Sequence, residues 1–185
     1  MSNKALLSFI VVVLLSLVAA VMVHRIFFKN LVTANPEDPY LPIPIVVEDK
    51  LPEFTLNDLD GNPQTSQQWQ HKIIVINFWA TWCPPCRKEL PEFINLQREY
   101  GAKGLQFVGI AIDELEDVRR FAAITKFNFP VLIGNADALH LSERLGNRLQ
   151  GLPYTVIFNR DGEVVYRSTG AIGPDVVRSA ISPLL

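Results

Sequence analysis

Cysteine is scarce in this 185-residue chain. There are two, and histidine adds only three further candidate ligands, His24, His71 and His140. A structural zinc site needs four ligands, and neither a second C-x-x-C nor an H-x3-5-H spacing is present, so no metal is called for. Charge is sparse too. Charged residues make up 19% of the chain and the formal net charge is −2, which leaves no basic footprint for nucleic acid. No internal repeat is evident. Apolar sequence, by contrast, is plentiful, and it is unevenly placed.

The first apolar run, Ala5 to Val23, carries no charge and is dominated by Val, Leu, Ala and Ile. At about 1.5 Å per residue it covers roughly 28 Å, close to the thickness of a hydrocarbon core. A cleaved signal peptide is the competing reading, with Val18-Ala19-Ala20 as a small-residue cleavage site. The run continues past that point, so a retained anchor is favoured. No cysteine lies near it, which argues against a lipoprotein. Lys4 flanks one end and Arg25 and Lys29 the other, so charge does not decide the orientation. The predicted organisation is a tail (1–4), a transmembrane anchor (5–28), a tether (29–50) marked by Pro36, Pro39, Pro42 and Pro44, and one domain (51–185).

Within that domain, Phe54-Thr55-Leu56 and the Asp60-Gly61-Asn62-Pro63 turn predict a short hairpin. The β-branched run Ile73 to Trp79 predicts a buried strand, followed by a helix from Pro84 to about Tyr100. A second central strand spans Leu105 to Ile112. Leu115 to Lys126 reads as helix, Pro130 to Ile133 as a short strand and Ala138 to Leu145 as helix. Tyr154 to Asn159 and Glu163 to Ser168 form a hairpin across Arg160-Asp161-Gly162. A last helix runs from Pro174 to Ile181 with proline in its first turn. Pro91 should kink the Pro84 helix by freeing the Arg87 carbonyl. Alternating strands and helices that end in a hairpin fit an α/β sandwich.

Both cysteines lie in Cys83-Pro84-Pro85-Cys86, at the junction of the first central strand and its helix. Free N–H groups and the positive dipole end at a helix N-terminus favour a thiolate there. A disulfide closing so short a loop gains little entropic stabilisation, so the pair reads as a redox couple rather than a staple. Cys83 comes first, at the exposed helix end, and is the attacking thiol; Cys86, one turn in and expected to be more buried, resolves the mixed disulfide. Pro85 removes an N–H that would otherwise stabilise the thiolate, which leans the couple towards reduction.

Trp79-Ala80-Thr81-Trp82-Cys83-Pro84-Pro85-Cys86 after an apolar strand resembles the thioredoxin superfamily. Asn77 and the Arg87-Lys88-Glu89-Leu90-Pro91 continuation look more specifically like its membrane-anchored TlpA/ResA/DsbE-type reductases. Leu51-Pro52-Glu53-Phe54-Thr55-Leu56, Gly151-Leu152-Pro153-Tyr154-Thr155 and Asp161-Gly162 extend the likeness over about residues 50 to 183. The resemblance implies a thioredoxin-like α/β sandwich with an N-terminal hairpin and a central helix-strand insertion at Leu115 to Ile133, preceded by one transmembrane helix. It implies a cis Leu152–Pro153 peptide facing the cysteines, with Trp82, Pro84, Leu152 and Pro153 binding the substrate. Glu89 stands where relatives carry an acid proposed to handle protons; a plain solvated helix-face carboxylate is the alternative. Asn77 occupies the place of the buried aspartate of cytoplasmic thioredoxins. Tyr154 departs from the DsbE-type pattern, which has an acidic residue after the cis-proline. Asp113 and Glu114 read mainly as a helix-start signal.

The implied activity is that of a protein-disulfide reductase without a cofactor, on the periplasmic side of a bacterial inner membrane. Its clients would be apocytochrome c with C-x-x-C-H sites, or copper-assembly proteins, and its electrons would come from a DsbD/CcdA-type membrane donor. Two other classes compete. A peroxiredoxin-like peroxidase would need threonine and proline where Ala80 and Ile76 stand. A redox-inert holdase or assembly scaffold would need neither thiol.

Overall fold

A computed structural model describes residues 16–25 and 47–185. Residues 16–25 form helix α1, in a unit separate from the folded domain. Among the described residues no helix is long and apolar enough to cross a membrane. The rest of the expected span (5–15 and 26–28) and residues 29–46 of the expected tether lie outside the described residues.

The domain is built on a seven-stranded sheet in the order β2-β1-β5-β4-β3-β6-β7. Strand β3 (Ile73–Trp79) is central and buried at every position. It runs parallel to β4 (Leu105–Ala111) and antiparallel to β6 (Tyr154–Phe158). Alternation along β3 divides the core in two. Ile73, Val75 and Trp79 face a cluster built with Leu90, Phe93 and Leu96 of helix α2 (Pro84–Tyr100). Ile74, Ile76 and Phe78 face a second cluster with Ala138 and Leu141 of helix α4 (Asn135–Arg144). Helices α3 (Leu115–Thr125) and α5 (Pro174–Ile181) add Val118, Val177 and Ile181 to the first cluster. The result is an α/β sandwich with helices on both faces of a mixed sheet.

The insertion between β4 and α4 has an architectural consequence. Its strand β5 (Val131–Ile133) pairs parallel to β4 on one side and antiparallel to β1 (Thr55–Asp58) on the other. The N-terminal hairpin of β1 and β2 (Pro63–Thr65) therefore joins the sheet only through β5. In the hairpin turn, Asp58 Oδ1 accepts the N–H groups of Asp60 and Asn62, both at 2.9 Å, while Gly61 takes φ +88°.

Helix ends differ from the sequence reading for local reasons. Lys126 turns left-handed (φ +54°) and closes α3 at Thr125, while α4 begins at Asn135 rather than Ala138. Helix α2 continues through Pro91 to Tyr100. Residues 48–50, within the expected tether, are bound to the domain. Glu48 N–H donates to the Arg144 carbonyl, the Glu48 carboxylate pairs with Arg144 Nε at 2.7 Å, and Val164 N–H donates to the Asp49 carbonyl.

Candidate active site

Strand β3 delivers the chain to the sheet end where Cys83 caps α2 with extended backbone (φ −92°, ψ 103°). Cys83 and Cys86 are joined in a disulfide, with Cα atoms 5.3 Å apart. The Cys86 N–H donates to Cys83 Sγ at 3.3 Å. Pro84 and Pro85 have no N–H to add, so the first turn brings a single backbone donor to that sulfur. Cys83 keeps 3% of its surface exposed and Cys86 none. Access to Cys83 is narrower than the exposed helix end that the sequence predicts, because Ile172 and Leu152 pack into the same apolar cluster. Trp82 is 65% exposed and Pro84 is exposed, so both flank the sulfurs on the open side.

The Leu152–Pro153 peptide is cis. Leu152 packs against the cluster that holds both cysteines, and Pro153 is buried. Pro153 gives its carbonyl to Gly170 N–H at 2.8 Å, whereas no backbone hydrogen bond of Leu152 is found among the described residues. Asn147 braces the segment: its side chain accepts from Gly151 N–H and donates to the Gly151 carbonyl, both at 3.0 Å. Tyr154 turns the other way. Its ring belongs to the α4-side core and its hydroxyl donates to the Leu145 carbonyl at 2.8 Å, with burial raising the phenol above its ordinary pKa. The departure from the acidic pattern at this position thus lies across the sheet from the disulfide.

Glu89 is not a solvated-face residue. It is 3% exposed and lies on the buried stripe of α2 with Cys86, Leu90 and Phe93, one turn beyond Cys86. Asn77 Nδ2 donates to Glu89 Oε1 at 2.9 Å and the Ile172 N–H to Oε2 at 3.0 Å. Asn77 Nδ2 also reaches Thr155 Oγ1 at 3.0 Å. Burial pushes the carboxyl up to about 7; lost hydration outweighs the Ile172 and Asn77 hydrogen bonds that favour the ionised form.

Two parts of the site escape sequence reasoning. Asp113, read there as a helix-start signal, instead clamps the turn before Cys83. Its Oδ2 accepts from Thr81 N–H at 2.7 Å and Thr81 Oγ1–H at 2.6 Å, and its Oδ1 from Glu114 N–H at 2.8 Å. Helix α3 itself starts from Glu114 with no side-chain cap. Thr155 and Ile172 complete the Glu89 network from 78 residues beyond Asn77 and 83 beyond Glu89. A usable signal for Thr155 was present: it is the one aliphatic hydroxyl in the run Tyr154–Phe158, and the structure then sets it in register with Asn77.

The redoxin family model matches residues 46–181. The thiol-disulfide oxidoreductase ResA of Halalkalibacterium halodurans is 32% identical over 125 residues, 67% of this chain and 69% of its own length. A thiol:disulfide interchange protein of the thioredoxin family from Chlorobium tepidum matches with a TM-score of 0.67 and 26% identity, over 73% of this chain and 94% of its own. A secreted Mycobacterium tuberculosis disulfide oxidoreductase, homologous to E. coli DsbE, matches with a TM-score of 0.59 and 28% identity, over 71% and 96%.

The Glu89 carboxyl should leave a signature in stability. Its pKa is higher folded (about 7) than unfolded (4.5). Below the unfolded value both states hold the proton and burial carries no ionisation penalty. As pH rises through the interval towards the folded value, stability is lost, and the loss levels off above it. Denaturant unfolding of the oxidised protein should show wild type losing roughly 3 kcal/mol relative to Glu89→Gln between about pH 4 and about pH 8. Parallel stability curves for the two proteins would contradict a buried, proton-holding Glu89.

Proposed function

This chain belongs to the redoxin family and is a thiol-disulfide oxidoreductase, and from that premise we propose that it is a membrane-tethered reductase of exported protein disulfides. The observation that carries the mechanism is the buried Glu89 carboxyl, one turn beyond Cys86 on the same buried helix face. In this reading the Cys83 thiolate attacks one sulfur of the client disulfide. A bond forms between Cys83 Sγ and that sulfur, and the other client sulfur leaves as a thiolate. Cys86 then gives up its proton to Glu89 and attacks Cys83 Sγ. That step forms the Cys83–Cys86 disulfide and releases the second client thiolate. Two electrons pass from the dithiol to the client, and an external dithiol donor restores Cys83 and Cys86.

The poor supply of N–H donors around Cys83 Sγ supports a reductant, since a weakly stabilised thiolate goes with a more reducing couple. The unpaired Leu152 backbone supplies an N–H and a carbonyl that an extended client segment would pair with beside the disulfide, with Trp82 and Pro84 covering its other side. We place the catalytic roles on Cys83, Cys86 and Glu89. The client class is an apocytochrome c with its C-x-x-C-H sites or a copper-assembly protein, and the donor a DsbD/CcdA-type membrane protein. The uncharged run from Ala5 to Val23, followed by a proline-rich stretch, supports a single-pass anchor over 5–28 and a tether over 29–50, and the likeness to TlpA/ResA/DsbE-type reductases supports an inner membrane with the domain on its periplasmic side. The peroxidase reading gains no support, because Ala80 and Ile76 are buried apolar residues where that chemistry needs threonine and proline.

Equilibrated against glutathione, the Cys83–Cys86 couple should have a potential nearer the thioredoxin value of about −270 mV than the DsbA value of about −120 mV. A potential above roughly −180 mV would replace the reductase with an oxidant or isomerase. A second experiment addresses the client. The full chain carrying Cys86→Ala should form a lasting mixed disulfide through Cys83 with an oxidised C-x-x-C-H peptide, and Cys83→Ala should form none. Trapping by Cys83→Ala and not by Cys86→Ala would reverse the assignment of the attacking thiol, and equal trapping by both would remove it.

A further inference from the structure

The bonding of Asn77 is incomplete. Its Nδ2 donates to both Glu89 Oε1 and Thr155 Oγ1, while its Oδ1 is buried with no partner among the described residues. An amide turned this way offers Glu89 only N–H groups, which suits an ionised carboxylate. The Ile172 N–H already occupies Oε2. That backbone N–H cannot turn away, so the proton is better placed on Oε1, where it would meet the Asn77 N–H donor to donor. Turning the amide over removes that conflict. Oδ1 then accepts from Glu89 Oε1–H and from the hydroxyl of Thr155, which can donate as readily as accept. Either orientation leaves one amide atom unbonded, Oδ1 in the first and Nδ2 in the second. The unbonded atom therefore does not select between them, and the charge on Glu89 does.

We propose that Asn77 is a positioning residue for Glu89 that serves both protonation states by turning its side-chain amide over, with Thr155 exchanging acceptor for donor in the same step. The inference rests on the reading of Glu89 as the group that takes the Cys86 proton, and it deepens that reading. The carboxyl can gain or lose charge without leaving its place on the buried face of α2. Leucine at position 77 would bond neither form, and aspartate would add a second charge beside Glu89. Among the described residues no competing charge comes from the packed elements: β3 contributes Asn77, β6 Thr155, and the turn before α5 the Ile172 N–H. On α2, Cys86 is held in the disulfide, while Arg87 and Lys88 are exposed, the Arg87 guanidinium lying over Phe121. The two thiols become titratable only on reduction, so the oxidised protein isolates the event.

The test is nuclear magnetic resonance on the full chain in its oxidised form, labelled in Glu carboxyl carbon and Asn side-chain nitrogen. Above the Glu89 titration, nuclear Overhauser contacts should link the Asn77 Nδ2 protons to the Thr155 γ-methyl group. Below it those contacts should fall at least severalfold, with the same midpoint as the Glu89 carboxyl carbon. A carboxyl that titrates while the contacts persist at every pH means a fixed amide and overturns the proposal alone. A carboxyl that stays ionised down to the ordinary carboxylate range removes both the proposal and the proton-handling role of Glu89.

Discussion

When α2 packs on the central sheet, Glu89 loses its water, and among the described residues no charged side chain replaces it. Its carboxyl is held instead by two neutral donors, the Asn77 amide and the Ile172 backbone N–H. Desolvation of a charge is the costly part of such an arrangement, and hydrogen bonds recover only part of it. Both donors come from elements that also wall the disulfide. Strand β3 carries Asn77 and runs straight into the Cys83 turn, while Ile172 belongs to the apolar cluster that encloses Cys83 and Cys86. The polar network thus ties the buried face of α2 to the sheet, and with it the position of Cys86.

Around that centre the site is assembled by two side-chain anchors on the backbone and one aromatic contact. Asp113, at the end of β4, holds Thr81 ahead of Cys83. Asn147, just past α4, holds Gly151 ahead of Leu152–Pro153. Trp79 is enclosed by Phe121 and Phe127, which come from α3 and the segment after it, so the insertion packs directly behind the turn to Cys83. Gly109 permits this: a Cβ there would stand 3.2 Å from Trp79 Nε1. The insertion therefore supplies both the strand that binds the N-terminal hairpin and the aromatic backing of the active-site loop.

Local chemistry was legible in the sequence, and long-range pairing was not. The apolar run of β3, proline at the start of α5 and the C-x-x-C at a helix N-terminus all act within a few residues, so pattern alone placed them. The cis peptide at Leu152 came from family likeness rather than from spacing. Glu89 was ambiguous because a carboxylate at that spacing is solvated or buried according to what covers α2, and the cover is Ile172, 83 residues away. Asp113 misled for a similar reason. A helix-start signal and a loop clamp use the same acceptor atoms, and only the fold brings Thr81 within 2.7 Å. The docking of Glu48 and Asp49 was hidden by the proline-rich stretch before them, since their partners are Arg144 and Arg167.

Control of the proton at the resolving thiol by Glu89 is the claim on which the functional account stands, and pH-dependent alkylation of Cys83 and Cys86 tests it most directly. An ionised carboxylate on the face of Cys86 opposes formation of a second negative charge, so removing it should favour the thiolate. In the reduced protein, Glu89→Gln should lower the pKa of at least one thiol by about one unit and slow resolution of the mixed disulfide, while the fold stays intact. Superimposable alkylation curves for wild type and variant, with unchanged turnover, would contradict the account and leave Glu89 a structural residue of the core.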